Sequence, residues 1–145
     1  TAFHWFDNQT AITEIKRVLK DKGLFFIVLK DNRHTEENAE VTKQYRSILQ
    51  KYVGDNYNSA KNHDPEERLE ENNFTDVDEK IIPFDEYYSV EDSLLLIKSL
   101  SFWNLVAEED KPKMLEELRN FYESNLVDGM VVRNRKATIV SGFKG

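Results

Sequence analysis

TAFHWFDNQT AITEIKRVLK DKGLFFIVLK, residues 1–30, reads as strand, turn, helix, glycine turn and strand. Thr1 to Phe6 is short, apolar and aromatic, as strands are. Asp7 and Asn8 are helix-starting residues, because their side chains accept from the unpaired amides of a first turn. The apolar positions that follow are Ile12, Ile15, Val18 and Leu19, a spacing that puts them on one helical face. Lys20, Asp21, Lys22 and Gly23 give a basic last turn and a glycine stop. Leu24 to Leu29 is an unbroken apolar run. Such a run predicts a strand buried on both faces, as in a parallel sheet covered by helices. Together the three pieces predict one right-handed βαβ unit.

Three motifs in this stretch carry a resemblance: AFHWFD at residues 2–7, EIKRVLK at 14–20 and KGLFFIVLKD at 22–31. In this order they resemble the class I S-adenosylmethionine-dependent methyltransferases, in the branch that acts on small molecules. In that family a motif like the first closes the fourth strand, and RVLKPGG leads into the fifth. Arg17, Val18, Leu19 and Lys20 match, and Asp21-Lys22-Gly23 stands where the family has Pro-Gly-Gly. The resemblance implies a Rossmann-like α/β fold, of which this chain is the C-terminal half. Strands four, five, six and seven would be present, the last one antiparallel and inserted between the fifth and sixth. Residues 1–145 would form a single partial domain, with helical lid insertions at about 36–73 and 85–128.

The expectation of a half comes from what the sequence lacks. In this fold the nucleotide part of the cofactor lies on a glycine-rich turn after the first strand. The five glycines here are Gly23, Gly54, Gly129, Gly142 and Gly145, and no G-x-G-x-G occurs. The chain also opens inside what reads as a buried element. The main elements that bind S-adenosylmethionine are therefore expected to lie outside these 145 residues.

Composition narrows the classes further. Hydrophobic residues make up 39% and charged residues 32%, ordinary values for a globular protein with a core. The net charge of −7 argues against nucleic-acid and anionic-membrane partners, which need a basic face. Without cysteine there is no disulfide, thiol catalysis or thiolate metal site, in keeping with a cytoplasmic protein. No apolar run reaches the ~20 residues of a membrane-spanning helix.

Beyond residue 30, KDNRH forms a polar loop at the C-terminal end of the second strand, the end that faces ligands in open α/β sheets. Thr35 with Glu36 and Glu37 starts a helix whose apolar face is Val41, Tyr45, Ile48, Leu49 and Tyr52, with Gly54 as its stop. Residues 55–64 read as a loop. Asp64, Pro65 and Glu67 open a short surface helix to about Asn72. Phe74 to Phe84 is a strand that Pro83 confines to an edge or an end. Ser89 and Asp92 start another helix, residues 101–104 break it, and Asp110 and Pro112 open a further one through Tyr122. Asp128-Gly129 signals a tight turn. Met130 to Val132 and Ala137 to Phe143 are strand pieces interrupted by the basic run Arg133 to Lys136, read as a solvated bend or a phosphate contact. Thr138 to Phe143 suits the family's reversed last strand.

Methyl transfer is an in-line displacement that depends on positioning. A hydroxyl or amine acceptor is helped by a base, and aromatic faces favour a sulfonium. The resemblance places Phe3, His4 and Trp5 beside the cofactor, with His4 as base or hydrogen-bond donor. The alternatives are a structural histidine and a plain core tryptophan. Substrate contacts are expected at Asn32, Arg33, His34, Tyr45 and Trp103, with a solvated loop histidine and core aromatics as the alternatives. Metal ligands are not expected. The partners expected are a small-molecule acceptor and either the missing N-terminal half or a second copy of the chain, and the fragment by itself is expected to self-associate and to be inactive. A non-catalytic α/β module that binds a partner chain is the competing reading.

Overall fold

The computed structural model describes residues 2–5, 7–54 and 64–145. They contain five α-helices and three strands, in two compact units. The helices are α1 (Gln9–Val18), α2 (Ala39–Val53), α3 (Pro65–Glu71), α4 (Val90–Ser99) and α5 (Lys111–Ser124). The strands are β1 (Leu24–Asn32), β2 (Phe74–Tyr88) and β3 (Val131–Lys144).

The sheet unit comprises residues 1–32, 61–84 and 135–145. Its strand order is β1-β3-β2, and β3 runs antiparallel to β1 from Leu24↔Phe143 to Asn32↔Arg135. The last strand in sequence thus lies between the two earlier ones, reversed against β1, as the resemblance implied. Helix α1 starts where its sequence says, with the Asn8 side chain accepting from the Ala11 amide at 3.0 Å. It ends at Leu19, and a turn follows in which the Gly23 amide donates to the Lys20 carbonyl at 2.8 Å. A Cβ at Gly23 would come within 2.7 Å of that same carbonyl oxygen, so the turn admits only glycine. The core of the unit is Phe3, Ile12, Ile27, Leu69, Phe74 and Val140.

The helical unit comprises residues 33–60 and 85–134. Its core joins Leu49 and Val53 of α2, Leu94 and Ile97 of α4, and Met114, Leu118 and Tyr122 of α5, with Val106 and Val131. Ser89 caps α4 by accepting from the Asp92 amide at 3.0 Å. Val127 and Met130 exchange backbone hydrogen bonds of 2.9 and 3.0 Å around Asp128-Gly129, the expected tight turn.

Five expectations are corrected. Phe3 to Trp5 is a 3-10 turn and not a strand. Aromatic residues favour strands only where they pack in alternation, and of these three only Phe3 is buried. The opening unit is therefore turn, helix and strand, with no fourth-strand equivalent among the described residues. Second, β1 is covered on one face only. Phe25, Ile27 and Leu29 face the core, while Leu24 and Phe26 are 49% and 58% exposed. Third, α2 begins at Ala39. Thr35 and Asn38 bond each other's backbone amides reciprocally, which closes a turn before the helix. Fourth, α3 is not purely a surface helix, because Leu69 is fully buried. Fifth, Arg133 to Lys136 is neither bend nor interruption: the basic run lies inside the continuous strand β3, and β2 likewise continues past Pro83. The loop expected at 55–64 falls mostly outside the described residues, as do Thr1, Phe6 and His63.

Candidate active site

The sheet unit holds the aromatic turn. Phe3 is buried against Phe25, with ring centroids 6.5 Å apart, and so fixes the turn from below. His4 and Trp5 lie side by side with centroids 4.8 Å apart and planes tilted by 40°. Both are exposed, Trp5 to 76%. A tryptophan this open, on a turn that Phe3 pins to the core, presents ring surface to a ligand, the kind of surface that attracts cations. Asp7, the last residue of the motif, has an almost wholly buried side chain that meets the Arg68 guanidinium of α3 at 2.6 Å.

Asn32 ends β1 and accepts from the Arg135 guanidinium opposite it on β3. In the helical unit, Arg33 donates to Asp85 at 2.8 Å, and the Asn134 amide donates to the same carboxylate oxygen at 2.9 Å. Asn38 donates to the Arg33 carbonyl at 2.8 Å and to the Asn134 side chain at 3.1 Å. Arg33 is therefore a member of a polar network, held by three neighbours. The ring of His34 meets Arg46 at 3.1 Å through Nε2. Because a guanidinium only donates, that nitrogen accepts in this pairing.

Tyr45 and Trp103 both pack on the helical core. Tyr45 lies against Phe121 at 5.9 Å and Tyr122 at 6.5 Å, and the Lys111 ammonium sits 5.3 Å above the Trp103 ring. An open groove of about 500 Å³ between α2 and α5 is lined by Lys43, Gln44, Ser47, Asn120 and Phe121, and by none of the expected substrate residues. The structure thus brings His4 and Trp5 together on one turn and sets Tyr45 and Trp103 on one core. Among the described residues, no three His, Asp or Glu side chains are grouped to hold a metal ion. No described helix is long and apolar enough to cross a membrane.

The roles of Arg68, Asn72 and Arg46 and the pairing of Asp85 are not legible in the sequence. Each acts through a residue distant in the chain, or through a residue type common on any surface. Only the cap at Asp64-Pro65, which sets the start of α3 and hence the place of Arg68, was visible in advance.

The chain is 30% identical over 118 residues to an uncharacterized methyltransferase of Schizosaccharomyces pombe, an alignment that takes in 80% of this chain and 44% of that protein. It also aligns with a crystal structure of a candidate methyltransferase from Bacillus halodurans, at 19% identity and a TM-score of 0.41, over 92% of this chain and 56% of the other. No family profile matches. A reversed last strand inserted between its two predecessors, in a chain with such a sequence relative, defines a part of a class I methyltransferase fold. This chain is a relative of the methyltransferases, and it spans less than half the length of the curated relative it matches.

Proposed function

We propose that this chain is the acceptor-side part of a longer enzyme that transfers a methyl group from S-adenosylmethionine to a small molecule. The observation that carries the reading is the order β1-β3-β2 with β3 reversed against β1, directly downstream of the HWFD and RVLK motifs. The cofactor supplies an electrophilic methyl on a sulfonium. Of the residues present, the exposed face of Trp5 fits that cationic end. Nothing in the sequence fits the nucleotide end, because no glycine-rich turn occurs. Phe3 holds the turn, Trp5 covers the sulfonium side, and His4 accepts a proton from a hydroxyl or amine acceptor or orients it; a carboxylate acceptor needs no base. Asn32 ends β1 and Arg33 and His34 follow it, at the C-terminal end where ligands bind in sheets of this kind. They are assigned to the acceptor with Tyr45 and Trp103.

The preceding half of the sheet is proposed to add at the edge of β1, which has no neighbour on that side among the described residues. The same open edge favours a second reading, a non-catalytic module that pairs with another chain. Ligand-dependent unfolding separates the two. A ligand at a hundredfold its Kd adds about 2.7 kcal/mol, a shift of several degrees for a domain of this size. The 145-residue chain is expected to show no shift with S-adenosylhomocysteine. The protein extended through the preceding sequence is expected to show one, to transfer labelled methyl, and to lose affinity on Trp5→Ala. An extended protein with neither binding nor transfer would overturn the enzyme reading in favour of the module.

A further inference from the structure

We infer that Arg68 is a positioning residue for the His4–Trp5 turn, anchoring it from α3 through the buried carboxylate of Asp7; its functional weight rests on the reading of that turn as the cofactor side. The turn is three residues long and carries a backbone bond from the Trp5 amide to the Ala2 carbonyl at 3.1 Å. So short a 3-10 segment does not hold a direction by itself. Its exposed rings contribute little packing. Side chains at its flanks tie the turn to the body of the unit. On one side Phe3 enters the core. On the other, Asp7 has a side chain only 5% exposed, with Oδ1 at 2.6 Å from Arg68 Nε.

Arg68 is in turn held firmly. Its own carbonyl accepts from the Asn72 side chain at 2.9 Å. Asn72, itself buried, accepts from the Gln9 side chain at 2.6 Å, and its carbonyl accepts from Lys16 at 2.7 Å. Leu69 next to Arg68 is fully buried, and Glu71 lies 3.5 Å from the guanidinium. Helix α3 is thereby fastened to both ends of α1, and the guanidinium is presented to Asp7 from a fixed backbone. A carboxylate that has lost most of its water depends on its cation far more than an exposed one does. The result is an aromatic pair that is ordered without being buried, which is what a binding surface requires.

The test uses Trp5 as its own reporter. The chain has two tryptophans, so Trp103→Phe leaves Trp5 as the sole source of indole emission. In that background Arg68→Ala is expected to lower the fluorescence anisotropy of Trp5 towards that of an unrestrained ring, while circular dichroism holds. Arg68→Lys, which keeps the charge without the fork, is expected to recover part of the loss. Asp7→Asn, which keeps the side-chain volume, is expected to act like Arg68→Ala and carries the reading should that variant fail to fold. Unchanged anisotropy in Arg68→Ala or Asp7→Asn overturns the inference. In the extended protein the same Arg68→Ala change is expected to weaken S-adenosylhomocysteine binding. Lowered anisotropy with undiminished affinity would leave the anchoring intact and overturn the assignment of the turn to the cofactor.

Discussion

Glu117 shows what a residue type conceals in a sequence. It is one of three acids on an amphipathic helix, yet it accepts from Lys51 at 2.8 Å and from the Tyr52 hydroxyl at 2.7 Å, tying α2 to α5. Tyr52 was legible as an apolar-face aromatic with a polar tip, but the partner of that tip, 65 positions away, was not. The Lys51 ammonium first, and the Tyr52 hydroxyl second, hold the Glu117 carboxyl below the usual carboxylate range. A folded-state value below the unfolded one gives stability that is present above the unfolded value, about 4.3 for glutamate, and is lost as pH falls through the folded value. Glu117→Gln should therefore lower Tm at pH 7, and the gap from the parent should close as the pH drops below about 4. Thermal scans of both proteins across that range decide it. A gap that stays constant with pH would mean that the carboxylate's charge contributes nothing. The paired residues are partly exposed, so the effect is modest and salt-sensitive.

Elements were more legible than pairings. Helix starts at Asn8, Asp64 and Ser89 are where their capping chemistry puts them, each side chain accepting an amide of its first turn. Elements whose character depends on a neighbour are less legible. The aromatic residues before α1 read as a strand, though of the described ones only Phe3 enters the core, and the basic run within β3 reads as a break. A strand's continuity is decided by the strands beside it, and sequence alone does not show them. Gly142 in β3 is a related case. A Cβ there would sit 3.0 Å from the Phe74 Cβ and 3.3 Å from a Val77 methyl, both on β2. The first of these atoms is fixed to the backbone and can yield only if the strand moves. Gly142→Ala is therefore expected to destabilise the protein by about 1–3 kcal/mol, the usual cost of overpacking. Urea unfolding should show a lower midpoint at unchanged slope. An unchanged or raised midpoint would show that β2 and β3 have slack at this position.

At the scale of the whole molecule, the two edges of the sheet differ in a way that predicts how the chain behaves alone. Strand β2 bears Asp76, Asp78, Glu79, Lys80 and Pro83, the charges and proline that discourage further strand pairing. Strand β1 has no charge and no proline from Leu24 to Leu29, and leaves Leu24, Phe26 and Val28 exposed on one face. The apolar run that suggested a strand buried on both sides thus records a cover that the described residues do not supply. An edge and a face of this kind recruit another chain. We expect the 145-residue chain to self-associate in a concentration-dependent way when studied alone, and sedimentation velocity at rising concentration should show it. Phe26→Lys should shift the population to monomer. It should cost little folding stability, because that side chain is already more than half exposed. A parent chain that stays monomeric at high concentration would count against β1 as a pairing edge. Association that survives Phe26→Lys would move the contact to another surface. If the extended protein is monomeric with Phe26 in place, and the same Phe26→Lys change destabilises it where the short chain tolerates it, the preceding half of the sheet is what covers β1.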